Sequence, residues 1–87
     1  MASISFAAKK AELDEACVFL RSFTLGQQGF TQKDGALGIK RINSLCERMS
    51  KLFASGPHAK QMATIVGSAR TRVAAAEARL ALLDKIK

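Results

Sequence analysis

The chain has 87 residues, 48% of them apolar, with one Pro, six Gly, five Phe, neither Trp nor Tyr, and a formal net charge of +7. Such a composition describes one small globular domain rather than a disordered chain. At this length only about 60–65% of the unfolded surface can be buried, so a partner or a second copy is expected to supply part of the missing burial.

The positive charge is unevenly placed. Residues 1–30 carry Lys9, Lys10 and Arg21 against Glu12, Asp14 and Glu15 and are neutral. Residues 31–56 carry five cations against Asp34 and Glu47, and residues 57–87 carry six against Glu77 and Asp84. The excess therefore lies in the second and third segments. It suits an anionic partner such as nucleic acid, an acidic protein or a membrane surface, although a basic balance also serves solubility alone. Lys9, Lys10 and Glu12 interrupt the N-terminal segment before a signal-peptide core develops. No apolar run approaches the ~18 residues of a spanning helix. A soluble, cytoplasmic protein with no membrane association is expected.

A first helix is predicted over residues 4–24. Ser3 or Ser5 can cap its free amide groups, and Phe6, Leu13, Cys17 and Leu20 fall on one stripe. Leu25-Gly26 ends it, because glycine accepts the left-handed conformation that closes a helix. The Gly26–Gly29 loop carries the Gly-x-x-Gly spacing of KH domains, but no strands surround it and no cation lies inside it. It reads as a helix-to-helix connection.

The second helix is predicted over residues 32–54. Thr31-Gln32-Lys33-Asp34 fits a capping box with Asp in the acidic position. From Leu37 onward Ile39, Ile42, Leu45, Cys46, Met49, Leu52 and Phe53 recur at helical spacing. Gly35 and Gly38 in its first turns each cost roughly 1 kcal/mol against Ala. Either the helix start is loose or a neighbouring backbone approaches closely there. Phe30–Asp34 followed by Ala36-Leu37-Gly38-Ile39 resembles the opening of a repressor-type helix-turn-helix. The turn glycine comes two residues after the alanine instead of four, however, and the apolar stripe continues unbroken to Phe53, so the likeness is set aside.

Ser55-Gly56-Pro57 is the strongest joint. Gly closes one helix and Pro at a first helical position opens the next, over residues 57–86. Ala59, Met62, Val66, Ala69, Val73, Ala76, Leu80 and Leu83 follow one another in alternating steps of three and four along that third helix. With about 30 residues it is ~45 Å long, against ~30–35 Å for the first two. Met62, Ile65, Val66 and Val73 are expected to complete a hairpin with helix 2, leaving residues 74–86 to outreach its neighbours. The fold expected is all-α: a small three-helix bundle or helical hairpin with a long C-terminal helix, completed by self-association. The candidate partner interface is Arg72, Ala76, Arg79, Leu80, Leu82, Leu83 and Ile86.

Chemistry is sparse. Cys17 and Cys46 stand 29 positions apart, without a C-x-x-C pair, and both lie on apolar stripes. They read as buried reduced thiols. His58 is the only histidine and is expected at the surface or in a helix cap, since one His with two dispersed Cys is too few for a metal site. No phosphate-binding glycine loop is present. No enzyme activity, cofactor, metal or small-molecule substrate is expected. A non-enzymatic module for protein–protein interaction or assembly through helix 3, acting as a homo-oligomer or on another protein, is the first reading. The alternative is a small nucleic-acid binder. At 100° per residue Lys33, Lys40, Arg41, Arg48 and Lys51 occupy about a third of helix 2, opposite Ile42, Cys46 and Met49. Such a row can track phosphates in a salt-sensitive way, though no Tyr or Trp is available for base stacking.

Overall fold

The computed structural model describes residues 5–86 as three helices, α1 (Phe6–Thr24), α2 (Gln32–Leu52) and α3 (Ala59–Ile86). No strand occurs among the described residues. The fold is a small all-α three-helix bundle, as its composition and periodicity imply.

Local chemistry accounts for most of the helix ends. Ser5 caps α1, its side chain accepting from the Ala8 N–H at 3.3 Å; Ser3, the other candidate cap, and residue 4 lie outside the described residues. At the far end the Gln27 N–H donates to the Ser22 carbonyl and the Gly26 N–H to that of Phe23, with Gly26 at φ 76°. This closes α1 in a Schellman arrangement that a side chain at Gly26 would strain. Thr31 and Asp34 form the expected capping box. The Asp34 N–H donates to Thr31 Oγ1 at 3.2 Å, and the Thr31 N–H donates to Asp34 Oδ2 at 2.8 Å.

Two boundaries differ from expectation. Helix α2 stops at Leu52 rather than at 54, because Phe53 leaves helical geometry and turns its ring edge-on to Phe6, 5.1 Å between centroids. Helix α3 opens at Ala59, not at Pro57. Gly56, at φ 98°, and Pro57 form a turn in which the Ala59 N–H donates to the Gly56 carbonyl, and the Met62 N–H donates to that of His58. That tight turn holds Pro57 and His58 outside the helix, which begins two residues beyond the proline, and the half-buried His58 ring stacks on Phe6.

Contacts at both ends define the register. Phe23 lies on Gly35 and Leu20 on Gly38, while Phe6 meets Phe53, so α1 and α2 run antiparallel. Phe6 stacks on His58 and Phe23 lies beneath Arg79, so α3 runs parallel to α1. One core joins all three helices: Leu13, Ala16, Leu20 and Phe23 from α1, Ile42, Cys46 and Met49 from α2, and Met62, Ala69, Val73 and Ala76 from α3. The glycines at the start of α2 let this core close. A Cβ on Gly35 would fall 2.5 Å from the Phe23 ring, and one on Gly38 would fall 2.9 Å from Leu20 Cδ1. The helix start is therefore tightly packed, and side chains, not backbone, make the close approach.

This register shortens the expected overhang of α3. Phe30 packs against the core and Gly26 lies beside Arg79, so the α1–α2 connection covers part of what helix lengths alone leave open. Val73 and Ala76 are buried, and Leu80 and Leu83 are partly buried against the core. The free end of α3 begins beyond Leu83.

Candidate interaction surfaces

The C-terminal half of α3 departs most from its predicted role. Ala76, expected at a partner interface, is fully buried at 0% exposure, because it faces the bundle one turn after Val73. Arg79 folds back: its guanidinium carbon lies 5.8 Å from the Phe23 ring centroid, and its Nε is buried without a hydrogen-bond partner. There it acts as a lid on the Phe23 end of the core, which the alkyl stem of an arginine can do at modest cost. Leu80 and Leu83 are half-buried. Leu82 is exposed by 54%, beside the exposed Ala74, Ala75, Ala78 and Ala81. Arg72 is exposed ten residues earlier and lines a groove between α1 and α3 together with Asp14 and Cys17. The side chain of Ile86 lies outside the described residues. The seven residues therefore do not form one continuous patch.

The outer face of α2 is continuous. Lys33, Lys40, Arg41, Arg48 and Lys51 are all exposed, opposite the buried Ile42, Cys46 and Met49. Lys51 pairs with Glu47 at 3.4 Å. Lys33, Lys40, Arg41 and Arg48 form no ion pair among the described residues. Two apolar residues belong to this surface and correct the expected stripe: Leu37 is 62% exposed and Leu52 is 43% exposed. Leu37 falls about 140° round the helix from Ile42 at 100° per residue, a signal readable in the sequence once the core direction is fixed.

Between α1 and α2 this face opens into a groove of about 620 Å³. Arg41, Ser44 and Arg48 lie along it with Leu45 and Leu52, and Glu12 of α1 stands on the other wall. The acidic groups at the groove are already matched, Glu12 by Lys9 at 3.1 Å and Glu47 by Lys51. Arg41 and Arg48 are left as its uncompensated charges. The sequence row of cations contains both, but the groove itself depends on the α1–α2 packing and has no sequence signal.

The groups capable of chemistry are dispersed. The half-buried His58 stacks on Phe6 at 4.0 Å with the rings parallel, meets Phe53 edge-on at 6.0 Å, and has its Nδ1 buried without a partner. It is not the surface histidine that was expected, although its carbonyl does accept the first hydrogen bond of α3. Cys17 and Cys46 are free thiols, half-buried and buried. Burial pushes the Cys17 thiol up, reinforced by Asp14 and opposed by Arg72. The Cys46 thiol is raised by burial first and by Cys17 second, against Arg70. Both are poor nucleophiles near neutral pH for that reason. Among the described residues no three His, Cys, Asp or Glu side chains converge as metal ligands, and no helix is long and apolar enough to cross a membrane.

Compared with known proteins, the chain matches no protein-family model, no curated protein sequence and no solved structure.

Proposed function

We propose that the chain is a non-enzymatic helical interaction module that engages an anionic partner protein through the outer face of α2. One observation carries this reading: Lys33, Lys40, Arg41 and Arg48 are exposed, lack carboxylate partners among the described residues, and share a face with the exposed Leu37 and Leu52. Unpaired cations on one helix face steer an anionic partner and set its orientation. Exposed leucines among them offer apolar area that phosphates cannot use but a protein surface can. Support for a non-catalytic role comes from the His58 ring packed against Phe6 and Phe53, and from the two thiols whose proton loss burial disfavours. Nucleic acid is the alternative occupant of the same face, using these four cations together with Lys51.

The test is affinity capture from the source cell with and without nuclease, comparing the native chain with the quadruple charge reversal K33E/K40E/R41E/R48E. Retention of a protein partner after nuclease, lost in the reversed variant and at high salt, is the expected result. Loss on nuclease treatment alone moves the reading to nucleic acid. Equal capture by both variants removes α2 from it.

A second reading, self-association through the end of α3, is favoured by Leu82, more than half exposed within a small-residue surface. Sedimentation of the native chain and of Leu82→Glu at micromolar concentration tests it. A concentration-dependent dimer that Leu82→Glu abolishes supports the reading, and a monomer throughout ends it.

A further inference from the structure

Within the proposed α2 surface, on which this step rests, we infer that the α1–α2 groove receives an acidic amphipathic helix of a partner protein. Two rows run along it. Arg41 and Arg48 form one and Leu45 and Leu52 the other, each pair seven residues apart. Seven residues are two helical turns, ~10.5 Å. The rows lie about 40° apart on the helix at 100° per residue. A partner helix that repeats a carboxylate and a leucine every seven residues matches both rows at once, carboxylates toward the guanidinium groups and leucines toward Leu45 and Leu52. This is the helix-in-groove mode of recognition, read through anchors spaced by helical turns.

The sign of the partner follows from the charges. Glu12 and Glu47 are held by Lys9 and Lys51, so the groove offers two unmatched guanidinium groups. Arginine presents a planar fork of donors that fits a carboxylate through two parallel hydrogen bonds. Ser44, between them on the same wall, adds a hydroxyl that donates or accepts. A phosphate backbone would satisfy the arginines equally well. It has nothing to place against Leu52, which is 43% exposed at the groove, and the leucine row therefore selects a protein helix.

Fluorescence anisotropy tests this with three probes of equal negative charge on the full chain at low and physiological salt. The first is an alanine-rich peptide of about 20 residues with glutamate and leucine rows at seven-residue spacing. The second is its scrambled counterpart, and the third is a single-stranded oligonucleotide. The patterned peptide is expected to bind at least about tenfold more tightly than either other probe. Both R41E/R48E and Leu52→Ser should weaken it by about tenfold or more, charge and leucine rows alike being required. These positions are solvent-facing, and an unchanged far-ultraviolet circular dichroism spectrum confirms that the variants fold. Equal binding of the scrambled peptide, or tighter binding of the oligonucleotide, overturns the helix inference. If that binding is nevertheless lost in K33E/K40E/R41E/R48E, the anionic-partner surface survives. Binding of none of the probes overturns both.

Discussion

Gly35→Ala puts the packing of α1 on α2 to a quantitative test. Two opposing effects meet at this position. Replacing a helical glycine by alanine favours the helix by roughly 0.5–1 kcal/mol. Against this, the added Cβ would lie 2.5 Å from two Phe23 ring carbons and 2.9 Å from a third, about 1 Å inside the 3.5–4.0 Å separation of carbon atoms in contact. Phe23 is 1% exposed with Arg79 over its ring, so the ring has no free direction to move. Overpacking of this kind costs about 1–3 kcal/mol, and the upper half of that range applies to a clamped ring. The net expectation is a loss of about 1–2 kcal/mol, or a Tm lower by roughly 5–15 °C in a domain of this size. Thermal and urea unfolding followed at 222 nm measure it. Gly67→Ala is the control, since nothing lies within 4 Å of its Cβ position, and it should stabilise by about 0.5–1 kcal/mol. Combining Gly35→Ala with Phe23→Leu should cost less than the two single changes added together. A Gly35→Ala variant as stable as Gly67→Ala would refute the claim that the Phe23 ring seats on the bare backbone of α2.

Other outcomes follow from single side chains. Thr31→Ala removes the hydroxyl that accepts from the Asp34 N–H and should cost about 1 kcal/mol by urea unfolding. Arg79→Met keeps an unbranched cover over Phe23 while removing the buried, unpartnered Nε. Its stability should match or exceed the native chain by up to about 1 kcal/mol, whereas Arg79→Ala should lose about that amount by uncovering the ring. Both cysteine thiols are raised in the folded chain, so the unfolded chain releases its thiol protons first as pH rises. The stabilisation is complete below the ordinary thiol range and declines as pH climbs from there through the raised folded values. Urea midpoints measured upward from about pH 7 should fall in that window, and by less in a Cys17→Ser/Cys46→Ala variant. A disulfide-exchange reagent at neutral pH should modify both thiols slowly in the folded chain and rapidly in urea.

What could be read from the sequence divides along the line between local and tertiary chemistry. The Schellman glycine Gly26 and the Thr31–Asp34 capping box each depend on a few consecutive residues and stand where their chemistry requires. The Ser55-Gly56-Pro57 joint separates α2 from α3, although the helix opens at Ala59 rather than at Pro57. The cationic row of α2 was legible for a related reason, since helical period alone places five side chains on one face. Helix α3 starts two residues beyond Pro57 because the Ala59 N–H closes a turn on the Gly56 carbonyl, and the stacking of His58 on Phe6, 52 chain positions away, has no sequence signal. Leu37 and Leu52 continue the run of apolar residues along α2, yet both are exposed. Helical period already turns Leu37 away from Ile42, whereas the exposure of Leu52 shows only in the packed bundle. Ala76 and the overhang of α3 failed together. Helix lengths can be compared from sequence, but the register that sets Arg79 beside Gly26 and Phe23 comes from packing. The groove at Arg41 and Arg48 needs two helices to exist, which explains why sequence showed its charges and not its shape.

On the proposed reading the working surface lies on α2 rather than at the end of α3. Two-dimensional amide NMR of the labelled chain, titrated with the patterned acidic peptide, tests it most directly. Shifts confined to Arg41, Ser44, Leu45, Arg48, Leu52 and the facing turn of α1 around Glu12 are expected, with Ala74–Leu83 unmoved. Shifts concentrated at Ala74–Leu83, with α2 silent, would contradict it.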